Sequence, residues 1–267
     1  VWMIAGLIVG AYCNYLFLAK RLRVYTEVAS DSITIPDFLE NRFKDRTKIL
    51  RIISGLIILI FFTLYVSSGI IAGGKTFESF FGLKFAYGAV FTLIIIVFYT
   101  FIGGFKAVSI TDAFQGLLMF CVLGSIPVVA YLNLDLPVDT NLIKEISRLD
   151  ANHLNPFRDQ TFWGILGLLA WGFGYFGQPH IIVRFMAIRD STELAKARRI
   201  GIGWMTIGLL GAIMSGLIGF VYFSQRGGLS DPETVFLKLG ELLFPPFFIG
   251  IIISAVLSAI MSTISSQ

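Results

Sequence analysis

Apolar runs of about 20 residues, the length a helix needs to cross a bilayer, recur along this chain and leave little room for any other plan. Seven can be drawn, over residues 1–19, 52–72, 87–104, 113–132, 162–186, 202–223 and 247–266. Only 14% of the 267 residues are charged and 56% are hydrophobic, against about 25% charged in soluble domains. The expectation is an all-α integral membrane protein with about seven transmembrane helices, forming one transmembrane domain over residues 1–267. The net charge of +4 does not point to nucleic acid, because the basic residues sit in short loops, where topology accounts for them. Cys13 and Cys121 both lie in apolar runs and read as small packing residues rather than a disulfide or a metal site. Both ends fall in or beside apolar runs with no signal peptide, so the chain is expected to be a fragment of a longer protein.

Loop charge sets the expected orientation. The loops after spans one, three and five, counted with Arg184 at the end of the fifth span, hold fourteen of the 21 Lys and Arg, and the other loops hold seven. Positive residues stay in the cytoplasm, which places the Val1 end outside and the Gln267 end in the cytoplasm of a multi-pass cell (plasma or inner) membrane protein. Between spans one and two, Thr34 is expected to cap a short surface helix with Pro36 in its first turn. Residues 231–244 read as another short helix, and 135–161 as a polar loop.

The fifth span contains Trp171 to His180, W-G-F-G-Y-F-G-Q-P-H, with Gly172, Gly174, Gly177 and Pro179 within eight positions. Glycine and proline weaken a helix by about 1 and 3 kcal/mol relative to alanine, so this span is expected to break partway. In hydrocarbon a break survives only where its freed N–H and C=O groups meet protein, water or a bound solute. Such interrupted spans point to a transporter's binding site.

Other side chains join it as candidates. Trp171 and Tyr175 stand four apart, which would set two aromatics beside the unwound backbone. Tyr65 shares a helical face with Gly69 and Gly73; it reads either as a phenol over a glycine-lined groove or as an interfacial tyrosine. In the last span Gly250, Ser254, Ser258, Ser262 and Ser266 form a four-residue ladder, whose plain reading is close helix packing. The Ser262 and Thr263 hydroxyls can both point at the Ala259 carbonyl. Three neutral oxygens together suit a hard cation, by extension from the oxygen sites of calcium and magnesium, and the lack of carboxylates favours a monovalent one. Asp112, after Thr111, reads first as the N-cap of the fourth span and second as a carboxylate on an ion path. His180 reads as a satisfied residue near a span end, and His153 as a loop histidine. The ladders Gly208/Ala212/Gly216 and Gly211/Ser215/Gly219 read as packing.

Tyr99-Thr-Phe-Ile-Gly-Gly-Phe-Lys-Ala107 matches the Y-T-x-x-G-G-F-x-A signature of the sodium:solute symporters, and Leu50-Arg-Ile-Ile-Ser54, Trp171–His180 and Ala259–Gln267 resemble the corresponding segments of that family. The resemblance implies a leucine-transporter-type inverted-repeat fold, whose first broken helix would lie just before Val1. It implies sodium-coupled uptake of a small solute, with L-proline foremost and another amino acid, a carboxylate or a sugar as the alternative. By the same resemblance Ala259, Ser262 and Thr263 would bind sodium. Tyr65, Trp171 and Tyr175 would line the solute site, and Asp112 would stand on the inner sodium path. The apolar faces of the three aromatics suit a pyrrolidine ring.

Two other classes fare poorly. A seven-helix receptor with a retinal-type Schiff base needs a lysine midway along the last span, and residues 247–266 contain none. An intramembrane protease needs a serine beside a base or paired mid-span aspartates, and no such arrangement is evident in the spans. The chain is not expected to be an enzyme.

Overall fold

The computed structural model describes residues 1–137, 140–229 and 231–267, so positions 138 and 139 of the expected 135–161 loop lie outside the described residues. Those residues form helices and no strand. In order they are α1 (Trp2–Cys13), a π-helical turn (Asn14–Ala19), α2 (Lys20–Val28), α3 (Ile35–Phe43), α4 (Ile49–Phe81), α5 (Phe85–Leu132) and α6 (Leu142–Leu149). There follow α7 (Phe162–Ala170), a 3₁₀ stretch (Trp171–Phe176), α8 (Pro179–Met186), α9 (Leu194–Ser224), α10 (Val235–Leu243) and α11 (Pro246–Ser266).

Among the described residues five helical segments are long and apolar enough to cross a membrane: Trp2–Val28, Ile49–Phe81, Phe85–Leu132, Ser191–Ser224 and Pro246–Ser266. The difference from seven has two causes. The expected third and fourth spans are the two arms of α5, whose 48 residues would measure about 72 Å at 1.5 Å each. The arms meet at Gly104, with φ 55° and ψ −160°, a conformation open almost only to glycine. The expected fifth span is interrupted, so neither of its pieces has full length.

The chain divides into two compact units. The first comprises Val1–Gly69, Thr161–Met205 and Ser266–Gln267. Its core is Ala19, Leu22, Ile182, Phe185, Met186 and Leu194, which packs α2 and the π turn against α8. The start of α3 is capped as expected: the Thr34 hydroxyl accepts from the Asp37 N–H, with Pro36 in the first turn. The Asp45 carboxylate accepts from the N–H groups of Thr47 and Leu50, the second a donor that the start of α4 leaves free. Hydrogen bonds from the Thr47 hydroxyl and the Leu50 N–H hold Asp45 below its usual carboxylate range.

The second unit comprises Ile70–Gln160 and Thr206–Ser265. Its core draws Val122, Ile126 and Ala130 from α5, Ile218, Tyr222 and Phe223 from α9, Leu239 from α10, and Ile252 and Ala255 from α11. The Gly211/Ser215/Gly219 ladder is the packed one: a Cβ on Gly211 would collide with the Leu123 carbonyl, and one on Gly219 with Val235. Gly216 of the other ladder faces open space. The segment expected as a polar loop also holds α6, capped by Asn141 and seated through fully buried Ile146.

Candidate functional site

The break in the fifth span falls where glycine and proline require it. α7 ends at Ala170, the chain tightens to 3₁₀ from Trp171 to Phe176, and α8 restarts at Pro179. Gly177 and Gln178 both donate their N–H groups to the Gly174 carbonyl. Pro179 serves as the first residue of α8, where a missing N–H costs nothing.

The tightening alters which side chains share a face. A 3₁₀ helix turns once in three residues, so Trp171 and Tyr175 point about 120° apart instead of stacking one above the other. Trp171 is 63% exposed, whereas Tyr175 is half-buried. Tyr65, on α4, is exposed and lies within electrostatic range of the Tyr175 phenol. Its ring centroid is 6.5 Å from that of His180, which also meets Phe62 edge-on at 5.5 Å. The first unit thus gathers Tyr65, Tyr175 and His180 around the break and turns Trp171 outward on the same segment. The expectation for His180 needs correcting: its Nδ1 is enclosed and makes no hydrogen bond, and its ring faces Phe62 and Tyr65 on α4.

Sequence reasoning passed over Asn14. It is 1% exposed, opens the π turn, and donates from Nδ2 to the Tyr175 carbonyl at 2.9 Å. The available signal was an amide in the middle of an apolar run, where polar side chains tie membrane helices together. α1 lies against the break without intervening side chains. A Cβ on Gly10 would collide with the backbone of Gly172, and one on Gly6 with that of Leu169.

The oxygen cluster lies in the second unit. Thr263 donates its hydroxyl to the Ala259 carbonyl at 2.8 Å, as the spacing predicts. Ser262 does not join it there. Its hydroxyl donates to Asp112 Oδ1 at 2.6 Å. Two expectations are corrected by this contact. Asp112 is not an N-cap, because the α5 backbone departs from helix eight residues earlier, at Gly104, and Asp112 lies within the second arm. The oxygen set also does not lack a carboxylate, since Asp112 supplies one. One residue before Ser262, the Met261 carbonyl accepts from the Tyr99 hydroxyl at 3.3 Å. Tyr99, the first residue of the signature, and Asp112 therefore both join α5 to α11.

Chemically the cluster suits a cation. Ser262 and Thr263 direct their protons to Asp112 and to the Ala259 carbonyl, so each hydroxyl turns its acceptor side away from its own proton. One carboxylate with three neutral oxygens balances a single positive charge, whereas calcium sites draw on several carboxylates.

Comparison with known protein families matches residues 1–267 to the Sodium:solute symporter family. The chain is 52% identical over its whole length to "Sodium/proline symporter 2" of Staphylococcus saprophyticus, covering 52% of that protein. It is 50% identical over its whole length to "Sodium/proline symporter" of Staphylococcus aureus, again covering 52% of it. The chain therefore spans about half the length of the curated relatives it matches. No solved structure matches.

Proposed function

Because this chain belongs to the sodium:solute symporter family, we propose that the protein it comes from carries a small solute, most simply L-proline, into the cell together with sodium. The observation that carries the reading is the break from Trp171 to Phe176. Irregular backbone at membrane depth is stable only where it meets protein or lines a solute cavity. Tyr65, Trp171 and Tyr175 offer apolar faces for a pyrrolidine ring, and the freed backbone groups of the 3₁₀ stretch suit an amino acid's charged ends. The names of the two relatives support proline as the solute.

Ala259, Ser262 and Thr263 bind the sodium in this reading, and Asp112 supplies the compensating charge and receives the ion on its way inward. Sodium and solute must raise each other's affinity by the same factor. One charge crossing 100 mV releases about 2.3 kcal/mol, and a tenfold sodium gradient adds about 1.4 kcal/mol. One sodium per solute then sustains a solute gradient of roughly several hundredfold at 1.4 kcal/mol per tenfold. We further infer that the Val1 end faces outward and the Gln267 end the cytoplasm of the cell membrane. The two-to-one excess of Lys and Arg in one set of loops supports this.

The test is labelled-proline uptake by the full-length protein in proteoliposomes, with and without an inward sodium gradient. A competition panel of other amino acids, carboxylates and sugars is run beside it. Proline accumulation that needs the gradient and resists the panel supports the reading. Equal uptake without sodium rejects the coupling, and displacement of proline by another solute at lower concentration reassigns the substrate. Cysteine labelling at positions 44 and 155 from either side of the membrane tests the orientation. Label reaching position 155 only from the cytoplasm would reverse it.

A further inference from the structure

Asn14 is held at one end and idle at the other. Its Nδ2 donates to the Tyr175 carbonyl, while its Oδ1 is enclosed and makes no hydrogen bond. An amide retained solely to join two helices gains most by pairing both ends, since a buried unpaired polar atom costs about 1–3 kcal/mol. Here the bonded end meets one carbonyl, and that carbonyl belongs to the stretch that has left the α-helical register. The donor itself stands at the first residue of a π turn; such turns are rare, and many are found at functional sites. On the N-terminal side of this bond the two helices meet without intervening side chains. Gly10 meets Gly172 and Gly6 meets Leu169 backbone to backbone, so α1 and the 3₁₀ stretch are seated on each other directly.

We propose that Asn14 is a positioning residue of the solute site: it fixes the Tyr175 carbonyl and thereby the orientation in which the 3₁₀ stretch presents Tyr175. The inference rests on reading Trp171–Phe176 as the place where the solute binds. Asn14 does not touch the solute; it acts through Tyr175. Without its donor the carbonyl seeks another partner, and the stretch samples orientations that bind solute less well. Affinity for solute falls, while affinity for sodium, assigned to the α11 oxygens, is unchanged.

The experiment uses the full-length protein in proteoliposomes with Asn14→Leu, which matches the amide in size and lacks the donor, and Asn14→Ser, which keeps a shorter one. Three quantities are read: the KM for sodium-driven proline uptake, the sodium half-saturation at saturating proline, and backbone hydrogen exchange across residues 171–178 without solute. Asn14→Leu is expected to raise the proline KM about tenfold, equivalent to about 1.4 kcal/mol. Folded protein and sodium half-saturation should stay within roughly twofold of wild type, and exchange across 171–178 should quicken. Asn14→Ser should fall between the two. A KM within roughly twofold of wild type, or a loss of folded protein with exchange and KM unchanged, would overturn the proposal. If Asn14→Leu does not accumulate, Asn14→Ser carries the same three readouts. If the wild-type protein fails to take up proline, the substrate reading fails by itself. The exchange measurement needs no solute and still decides: unchanged exchange in the variants removes the role given to Asn14.

Discussion

Ser262 on α11 and Asp112 on α5, 150 residues apart in sequence, share a hydrogen bond of 2.6 Å in which the hydroxyl donates to the carboxylate. The direction of that bond matters. A hydroxyl can coordinate a cation only if its own proton points elsewhere, and Asp112 is where the Ser262 proton points. The same contact brings one negative charge to a group of oxygens otherwise neutral. In the proposed sodium site Asp112 would therefore have two roles, orienting the Ser262 hydroxyl and balancing the charge of the ion.

Replacing that charge without its shape tests the second role. Asp112→Asn keeps an oxygen that accepts from Ser262 and removes the negative charge. Sodium half-saturation for proline binding to the full-length protein should rise at least tenfold, about 1.4 kcal/mol. This is modest beside the roughly 4 kcal/mol that two unit charges 4 Å apart exchange near a protein surface. Proline affinity at saturating sodium should change little. A sodium titration that overlays the wild-type curve would take the carboxylate out of ion binding.

Thr263 allows a cleaner separation of oxygen from packing. Thr263→Val preserves the branched shape and deletes the hydroxyl; Thr263→Ser does the reverse. The valine variant should raise sodium half-saturation by about tenfold, and the serine variant should stay within about threefold of wild type. Combined with Ser262→Ala, the effects should be less than additive if both residues act on one ion as proposed. Additive effects would mean that the hydroxyls serve separate contacts.

These residues also show what the sequence could and could not disclose. Composition alone located the break at Trp171–His180, because glycine and proline oppose a helix wherever they occur. The Thr34 cap was equally local. Asp112 misled because Thr-Asp beside an apolar run resembles a helix start, whereas the backbone departure occurs at Gly104. The Trp171–Tyr175 spacing set both aromatics beside the break but not their directions, which the 3₁₀ turn puts about 120° apart. Asn14 and the Ser262 proton escaped for a common reason: their partners are 161 and 150 residues away. No periodicity reports a contact at that range.

Gly104 should resist replacement for its backbone conformation alone, since nothing lies near its Cβ position. Its φ of 55° with ψ of −160° costs any other residue about 1–3 kcal/mol. Gly104→Ala should therefore lower the midpoint of thermal unfolding in detergent. Gly55→Ala is the control: it lies within α4 with nothing near its Cβ position, where alanine is favoured by about 1 kcal/mol. If the two variants melt together, the conformation at Gly104 is not one that glycine alone sustains.

Gly10 and Gly6 make the same kind of contact with different neighbours, which allows packing to be told from function. Each faces a backbone that a Cβ would strike, Gly172 in the 3₁₀ stretch for Gly10 and Leu169 in α7 for Gly6. Inserting a methyl group into a closed contact costs about 1–3 kcal/mol, so Gly10→Ala and Gly6→Ala should lose comparable thermal stability. Their effects on transport should diverge. Displacing Gly172 moves the stretch that carries Tyr175, and Gly10→Ala should raise the proline KM several-fold more than Gly6→Ala, on the order of 1 kcal/mol. Sodium half-saturation should follow neither substitution, since the oxygens proposed for sodium lie on α5 and α11. Equal KM values in the two variants would reduce the contact between α1 and the break to helix packing, and with it the case that the break is held open for a solute.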